Sequence, residues 1–160
     1  DVKRVAYAAS FGTDEWEYSE EEANRCLMLI RKFDAVSVRE KSAVDLCENY
    51  FNVTPDLVLD PTLLLSKSVY LHLIQAIPNL GMFTYILDMN DDKWKMLQQV
   101  QQNLGLDLFE FNTNGENKEA PLSERVAPSV ESWIRGFSSA KYIVTDSFHG
   151  CAFSIIFNKP

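Results

Sequence analysis

Short apolar segments alternate with amphipathic ones along the first part of the chain. Three apolar segments have the length of strands, namely residues 4–10, 34–38 and 56–60. Between the first two, Ser19 and Glu22 have the spacing of a helix capping box, and apolar residues follow at helical intervals. Residues 40–50 repeat the helical pattern before the third segment. The alternation predicts a parallel sheet covered by helices, with a buried first strand.

The pattern restarts near residue 82, after a less regular stretch at 62–80 in which we predict one helix around 68–76. Strands are then predicted over residues 82–89, 106–111 and 141–145. Helices are predicted over residues 91–104 and 128–140, with a last helix from residue 147. The restart predicts two α/β domains, residues 1–66 and 67–160. Because both ends of the sequence run into regular elements, we expect the chain to be a fragment of a longer polypeptide.

The helical spacing also predicts which side chains face the sheets. In three of the helices these are Ala43, Cys47 and Tyr50; Trp94, Leu97, Val100 and Leu104; and Val130, Trp133, Ile134 and Phe137.

Composition and charge narrow the classes of partner. A hydrophobic content of 46% with 24% charged residues is ordinary for a soluble globular protein. The net charge of −8 argues against nucleic acid or an anionic membrane as a partner, because counterion release needs clustered Lys and Arg. No stretch of the sequence approaches the length of an apolar transmembrane helix.

The cysteines and histidines give no sign of a disulfide or a metal. Cys26, Cys47 and Cys151 are odd in number and lie in apolar stretches, so we predict buried free thiols in a reducing compartment. His72 and His149 are the only histidines, and the cysteines lack paired spacing, so no metal site is predicted. These features and the lack of a leader sequence predict a cytoplasmic location.

Candidate chemistry lies where the predicted strands end, because ligands of open parallel sheets bind at the carboxyl edge. The polar and glycine residues at these ends are Ser10, Gly12, Arg39, Asp60, Asp88, Thr145, Asp146 and Ser147. Arg39 could hold a carboxylate or phosphate through two parallel hydrogen bonds. An ion pair with Glu40 or another nearby acid would explain the same residue.

The final segment, "VTDSFHGCAFSIIFNKP", carries an imidazole in the first turn of an apolar helix. Asp146 or Ser147 could cap that helix, and its remaining free amides would form an anion site. His149 could then overhang the strand ends, with Gly150 keeping the neighbouring surface open. A core histidine bonded to a nearby carbonyl is an equal alternative at this point.

Four segments in this order, "YAASFG", "FDAVSVREKSA", "VLDPTLLL" and "VTDSFHGCAFSIIFNKP", resemble the polysaccharide pyruvyl transferase family. The resemblance implies two Rossmann-like domains facing each other across a cleft, similar to the GT-B glycosyltransferases. This chain would hold the later part of the first domain and the earlier part of the second.

The resemblance also implies an activity, the transfer of pyruvate from phosphoenolpyruvate to two hydroxyls of a glycan acceptor as a ketal. The product would belong to an exopolysaccharide or cell-surface glycan, and no cofactor is implied. Arg39 matches the family's donor-binding arginine, and His149 matches the histidine of its HG motif, implicated in donor binding and catalysis. Many members carry arginine at the position of Ser147. Asp146 could orient His149 or accept a hydroxyl proton.

Ser10, Gly12 and Ser147 complete the predicted substrate-binding residues. Two other functions remain open at this point. One is a GT-B glycosyltransferase that uses a nucleotide-sugar donor, and the other is a non-catalytic sugar-binding relative in which Ser147 marks a lost donor site.

Overall fold

A computed structural model describes residues 2–75, 81–110, 119 and 121–160 of the chain. They divide into two units, Asp1–Leu64 and Leu65–Pro160. Each unit has its own parallel sheet, so the predicted mixed α/β architecture with parallel sheets is confirmed. That the units are parts of two GT-B-like domains, divided between residues 66 and 67, stays a prediction.

The first unit alternates strands and helices as predicted. Its elements are β1 (Val5–Ala9), α1 (Glu20–Ile30), β2 (Ala35–Val38), α2 (Lys41–Phe51), β3 (Asp56–Leu57) and a 3-10 turn at Pro61–Leu64. The strands are parallel and lie in the order β1-β2-β3. The predicted capping box is confirmed: the Glu22 amide donates to Ser19 Oγ, and the Ser19 amide donates to Glu22 Oε2.

The core of the first unit lies under α2, around Val38, Ala43, Cys47 and Phe51. The prediction that the first strand is buried is wrong, since of its residues only Ala8 is buried and Val5 is 60% exposed. β1 pairs only with β2 among the described strands, which leaves it at an edge. The third strand also ends earlier than predicted, at Leu57 instead of residue 60.

Tyr50 is another correction in this unit, because it is exposed instead of facing the sheet. Its ring stacks on Trp16, with the ring centroids 3.8 Å apart. Trp16 itself packs against the core from the long segment between β1 and α1. The Trp16 indole therefore packs against the core at the position where helical periodicity predicted the Tyr50 ring, and the Tyr50 ring lies on the outside of the indole.

Among the residues that the structure describes, the second unit contains three strands and five of the seven α-helices. Its elements are α3 (Lys67–Leu73), β4 (Met82–Tyr85), α4 (Asp91–Leu104), β5 (Leu108–Glu110), α5 (Leu122–Arg125), α6 (Val130–Ser139), β6 (Tyr142–Thr145) and α7 (Phe148–Phe157). The predicted strand 82–89 is shorter than expected, at four residues. Residue 111 of the strand predicted over 106–111, and residue 76 of the helix predicted around 68–76, lie outside the described residues.

The strand order of the second sheet, β5-β4-β6, predicts where this unit would bind a ligand. The chain passes from the central β4 to β5 on one side and returns to β6 on the other side. All pairings are parallel, and Tyr85 at the end of β4 is in register with Thr145 at the end of β6. A reversal of this kind opens a crevice at the carboxyl ends of the two strands between which the direction changes. In this unit those strands are β4 and β6.

Both faces of the second sheet are covered by helices. Phe83 is fully buried with Phe137 of α6 and Phe153 of α7, whereas the adjacent Met82 is fully buried with Leu97 of α4. Side chains of neighbouring residues in a strand point to opposite faces, so β4 contributes to two separate cores.

Three side chains predicted to face this sheet are exposed instead: Trp94, Leu104 and Val130. Each lies in the first or last turn of its helix. A helix of the length of α4 is about 21 Å long, whereas a four-residue strand spans only about 13 Å. The terminal turns therefore extend past the sheet, and only the middle of the helical stripe is buried.

The three cysteines are free, as predicted, but only Cys47 is buried. The expectation of burial is wrong for Cys26 and Cys151, because their positions on α1 and α7 face away from the cores. Burial raises the pKa of the Cys47 thiol.

This difference in exposure predicts a difference in reactivity. In the native protein, iodoacetamide should modify Cys47 roughly tenfold or more slowly than the two exposed cysteines, because alkylation needs an accessible thiolate. Peptide mass spectrometry after timed quenching measures the three rates separately. In urea the rates should converge, and equal rates in the native protein would contradict the buried position of Cys47.

Candidate functional site

Arg39 and two carboxylates meet at the carboxyl edge of the first sheet. Arg39 follows β2 directly, and its Nη1 donates to Asp60 Oδ2 at 2.8 Å. Its Nε lies 3.6 Å from Glu40 Oε2. The Arg39 side chain is 22% exposed and the Asp60 side chain 1%. The structure therefore shows Arg39 in an ion pair with a nearby acid, chiefly Asp60.

The other carboxylate oxygen of Asp60, Oδ1, accepts hydrogen bonds from Thr62. The Thr62 amide and the Thr62 hydroxyl both donate to Asp60 Oδ1, at 2.9 and 2.7 Å. A buried carboxylate is stable only when it is paired and hydrogen-bonded, and Asp60 meets that requirement. This arrangement was not found from the sequence, although the pair of Asp60 and Thr62 around Pro61 is a common turn pattern.

Ser10 and Gly12 lie in the loop that follows β1, at the same edge as Arg39. The Arg39 amide donates to the Ala9 carbonyl, and the Phe11 amide donates to Glu40 Oε1. The Gly12 amide closes a tight turn on Ser10 Oγ at 3.0 Å, and its φ of 75° lies in the left-handed region that favours glycine. The structure thus brings Ser10 and Gly12 to the strand end that carries Arg39.

Ser147 caps α7 at the carboxyl edge of the second sheet. Its Oγ accepts from the Gly150 amide at 3.4 Å, and its own amide donates to Thr145 Oγ1. Ser147 is buried. Of the two capping candidates, the structure selects Ser147.

Asp146 instead bridges the ends of β4 and β6, the two strands between which the direction of the chain changes. The Leu87 amide donates to Asp146 Oδ1 and Lys93 Nζ donates to Oδ2, each at 2.8 Å. Burial raises the pKa of the Asp146 carboxyl, but hydrogen bonds from Lys93 and Leu87 and the Lys93 charge outweigh burial and hold the pKa below its ordinary value. Asp146 is therefore a carboxylate at neutral pH.

Lys93 is a residue of this edge that sequence reasoning missed. It lies in the first turn of α4, where its Nζ also donates to the Asp88 carbonyl at 2.8 Å. The available signal was positional, because the helix after a parallel strand starts at the carboxyl edge of the sheet.

His149 and Gly150 occupy the first turn of α7. His149 is partly buried, and its ring meets the Phe148 ring edge-on, with centroids 5.3 Å apart. Gly150 is buried, and a Cβ built on it would lie 2.2 Å from Thr145 Oγ1. The expectation that Gly150 keeps the surface open is therefore wrong. Because Gly150 has no side chain, α7 can approach the end of β6 closely, and this approach keeps His149 near the strand ends.

The sequence model of the polysaccharide pyruvyl transferase family matches residues 1–160 of the chain. The chain belongs to the polysaccharide pyruvyl transferase family. No curated protein and no solved structure matches it. Membership of this family implies a transferase.

The residues predicted for the site of this pyruvyl transferase family member fall into two groups. Ser10, Gly12 and Arg39 lie together in the first unit, whereas Asp146, Ser147 and His149 lie together in the second. Within residues 2–75, 81–110, 119 and 121–160, no cluster of three or more His, Cys, Asp or Glu side chains is arranged to hold a metal ion. None of the helices in the same residues is long and apolar enough to cross a membrane.

Proposed function

We propose that the chain is part of an enzyme that transfers pyruvate from phosphoenolpyruvate to a pair of glycan hydroxyls, forming a ketal during exopolysaccharide or cell-surface glycan synthesis. The match of the whole chain to the pyruvyl transferase family carries this proposal. His149 supports it, because it stands at the capped start of α7, at the carboxyl edge of the second sheet. The reaction would take place in the cytoplasm, where phosphoenolpyruvate is made.

In this proposal the two units are the later part of one Rossmann-like domain and the earlier part of another, residues 1–66 and 67–160. The parallel sheet of each unit supports this division. The reversal of strand order at β4 adds support, since doubly wound domains bind their ligands at such a point.

His149 would act as the general acid. It would protonate the methylene carbon of phosphoenolpyruvate, and the carbocation-like neighbouring carbon would be attacked by the first hydroxyl. The second hydroxyl would attack as the carbon–oxygen bond to phosphate breaks. The reaction releases two hydroxyl protons. One replaces the proton that His149 gave to the new methyl group, and the other ends on the released phosphate, so no further reactant is needed.

Arg39 would bind the carboxylate or phosphate of the donor. Because Asp60 and Glu40 flank its guanidinium, the local charge does not by itself attract an anion. Ser10 and Gly12 would border the part of the site that contains Arg39.

Asp146 would stabilise the carboxyl edge of the second sheet beside His149, through its hydrogen bonds with Leu87 and Lys93. Both of its oxygens accept hydrogen bonds, and its lowered pKa makes it a weak base. It would accept a hydroxyl proton from the acceptor sugar only by giving up Lys93 or the Leu87 amide. Its more direct contribution is to fix the strand end from which His149 follows.

A calorimetric titration of phosphoenolpyruvate into the complete enzyme tests the proposal, with UDP as the second ligand. Phosphoenolpyruvate should bind, and Arg39→Ala and His149→Ala should each weaken binding roughly tenfold, the loss expected for one charge-assisted hydrogen bond. Lys95→Met is a matched control, since Lys95 is 69% exposed and pairs only loosely with Asp92. Binding of UDP alone would favour a glycosyltransferase, and no binding of either ligand would favour a sugar-binding relative without a donor site.

A further inference from the structure

We infer that Asp60 is a positioning residue, which fixes the guanidinium of Arg39 in the orientation that binds the donor. The inference rests on the proposed function, in which Arg39 contacts the anionic donor. It names a residue that has no contact with the donor in that proposal but determines how well Arg39 can bind it.

The first observation is the chain of hydrogen bonds Thr62–Asp60–Arg39. The Thr62 amide and hydroxyl hold one oxygen of Asp60, and the other oxygen holds Arg39 Nη1. With both oxygens bound, the carboxylate cannot rotate freely. Because the guanidinium is a rigid planar fork, fixing one of its nitrogens restricts the directions of its other N–H groups.

The second observation is burial. Asp60 is almost completely buried, with 2% of its surface exposed. Burying a charge is costly and is offset by pairing with Arg39 and bonding to Thr62. The carboxylate of the pair is therefore shielded from solvent, and the geometry of the pair is firmer than that of a surface ion pair.

The third observation is the contrast between Asp60 and Glu40. Glu40 Oε2 lies 3.6 Å from Arg39 Nε, which is too far for a hydrogen bond, and its side chain is 29% exposed. The other Glu40 oxygen accepts from the Phe11 amide. Without Asp60, the guanidinium would be drawn toward Glu40 and away from the third strand. Glu40 is therefore the natural control for Asp60.

The test uses steady-state kinetics of pyruvyl transfer in the complete enzyme, at saturating acceptor. We expect Asp60→Asn to raise the KM for phosphoenolpyruvate roughly tenfold, as the loss of one charged hydrogen bond would. Thr62→Val should raise it by about threefold, a smaller effect, because the Thr62 hydroxyl acts on Arg39 only through Asp60, which keeps the hydrogen bond from the residue 62 amide. Thr62→Ser keeps the hydroxyl and should behave as the wild type, whereas Glu40→Gln should not raise the KM, because Glu40 Oε2 lies too far from Arg39 Nε for a hydrogen bond. The KM for the acceptor should stay unchanged throughout.

A double variant separates positioning from a general structural role. In the Arg39→Ala background, Asp60→Asn should have no further effect on the KM, since there is no guanidinium left to orient. If the KM change of the double variant were the product of the two single changes, the inference would be overturned. An unchanged KM in the single variant Asp60→Asn would overturn it as well. If Asp60→Asn fails to fold, the pair Thr62→Val and Thr62→Ser decides, because equal KM values for these two would also overturn it. Absence of pyruvyl transfer in the wild type would overturn the proposed function and, with it, the inference.

Discussion

Replacement of His149 by alanine should lower the rate of pyruvyl transfer in the complete enzyme by about 10²–10⁴-fold, the range that a general acid contributes. The expected loss is in kcat, because proton delivery to the methylene carbon precedes or accompanies attack by the hydroxyl. His149 has the position for this role, in the first turn of α7 at the end of β6. Release of inorganic phosphate under saturating substrates measures the rate.

His72→Ala is the matched control for this prediction. His72 is the other histidine of the chain; it is exposed near the end of α3, with its Nδ1 bonded to the Ser68 carbonyl. Its loss should leave kcat within about twofold, as expected for a residue outside the chemistry. A His149→Ala enzyme that keeps its rate within about threefold of the wild type would contradict the acid role.

Gly150→Ala should destabilise the protein, although alanine is normally the better residue in a helix by about 1 kcal/mol. The new Cβ would meet Thr145 Oγ1 at 2.2 Å and the Thr145 Cβ at 2.9 Å. Thr145 cannot easily move, because its hydroxyl donates to the Tyr85 carbonyl and accepts from the Ser147 amide. Overpacking of this kind typically costs about 1–3 kcal/mol.

Urea unfolding of the variant and the wild type measures this cost. Cys151→Ala is the control, because Cys151 is exposed on the same helix turn, and its replacement should change the free energy of unfolding by less than about 0.5 kcal/mol. A Gly150→Ala protein as stable as the wild type, or more so, would show that α7 does not need its close approach to β6.

The sequence predicted the kind and order of most elements because hydrophobic periodicity is a local property. The short helix α5 was not predicted. The sequence predicted burial in the middle of the helical stripes, as at Leu97 and Phe137, but not at their ends, because burial there depends on how far each sheet extends. Trp94 and Leu104 continue the apolar stripe of α4 but lie past the strands. Val5 has the pattern of a buried strand but lies on β1, which pairs with one neighbour among the described strands.

The positions of the candidate site residues were predictable to a similar depth. The rule that ligands bind at the carboxyl ends of parallel strands made Arg39, Asp146 and His149 candidates, and the family resemblance supplied their roles, which stay predictions. The partners of these residues were not predictable, because they come from distant parts of the chain. Asp60 is 21 residues from Arg39, and Lys93 is 53 residues from Asp146. Only the folded arrangement determines that Ser147, and not Asp146, caps α7.

In the central strand β4, an insertion or deletion should disturb the fold more than a substitution of similar volume. Met82 and Phe83 are neighbours in sequence, yet each fills a different core. Inserting or deleting one residue before them would exchange the two side chains between the cores and shift every partner along β5 and β6. Substitutions of similar volume would be repacked at modest cost. Natural variation in this segment should therefore accumulate as changes of residue type and not as gaps.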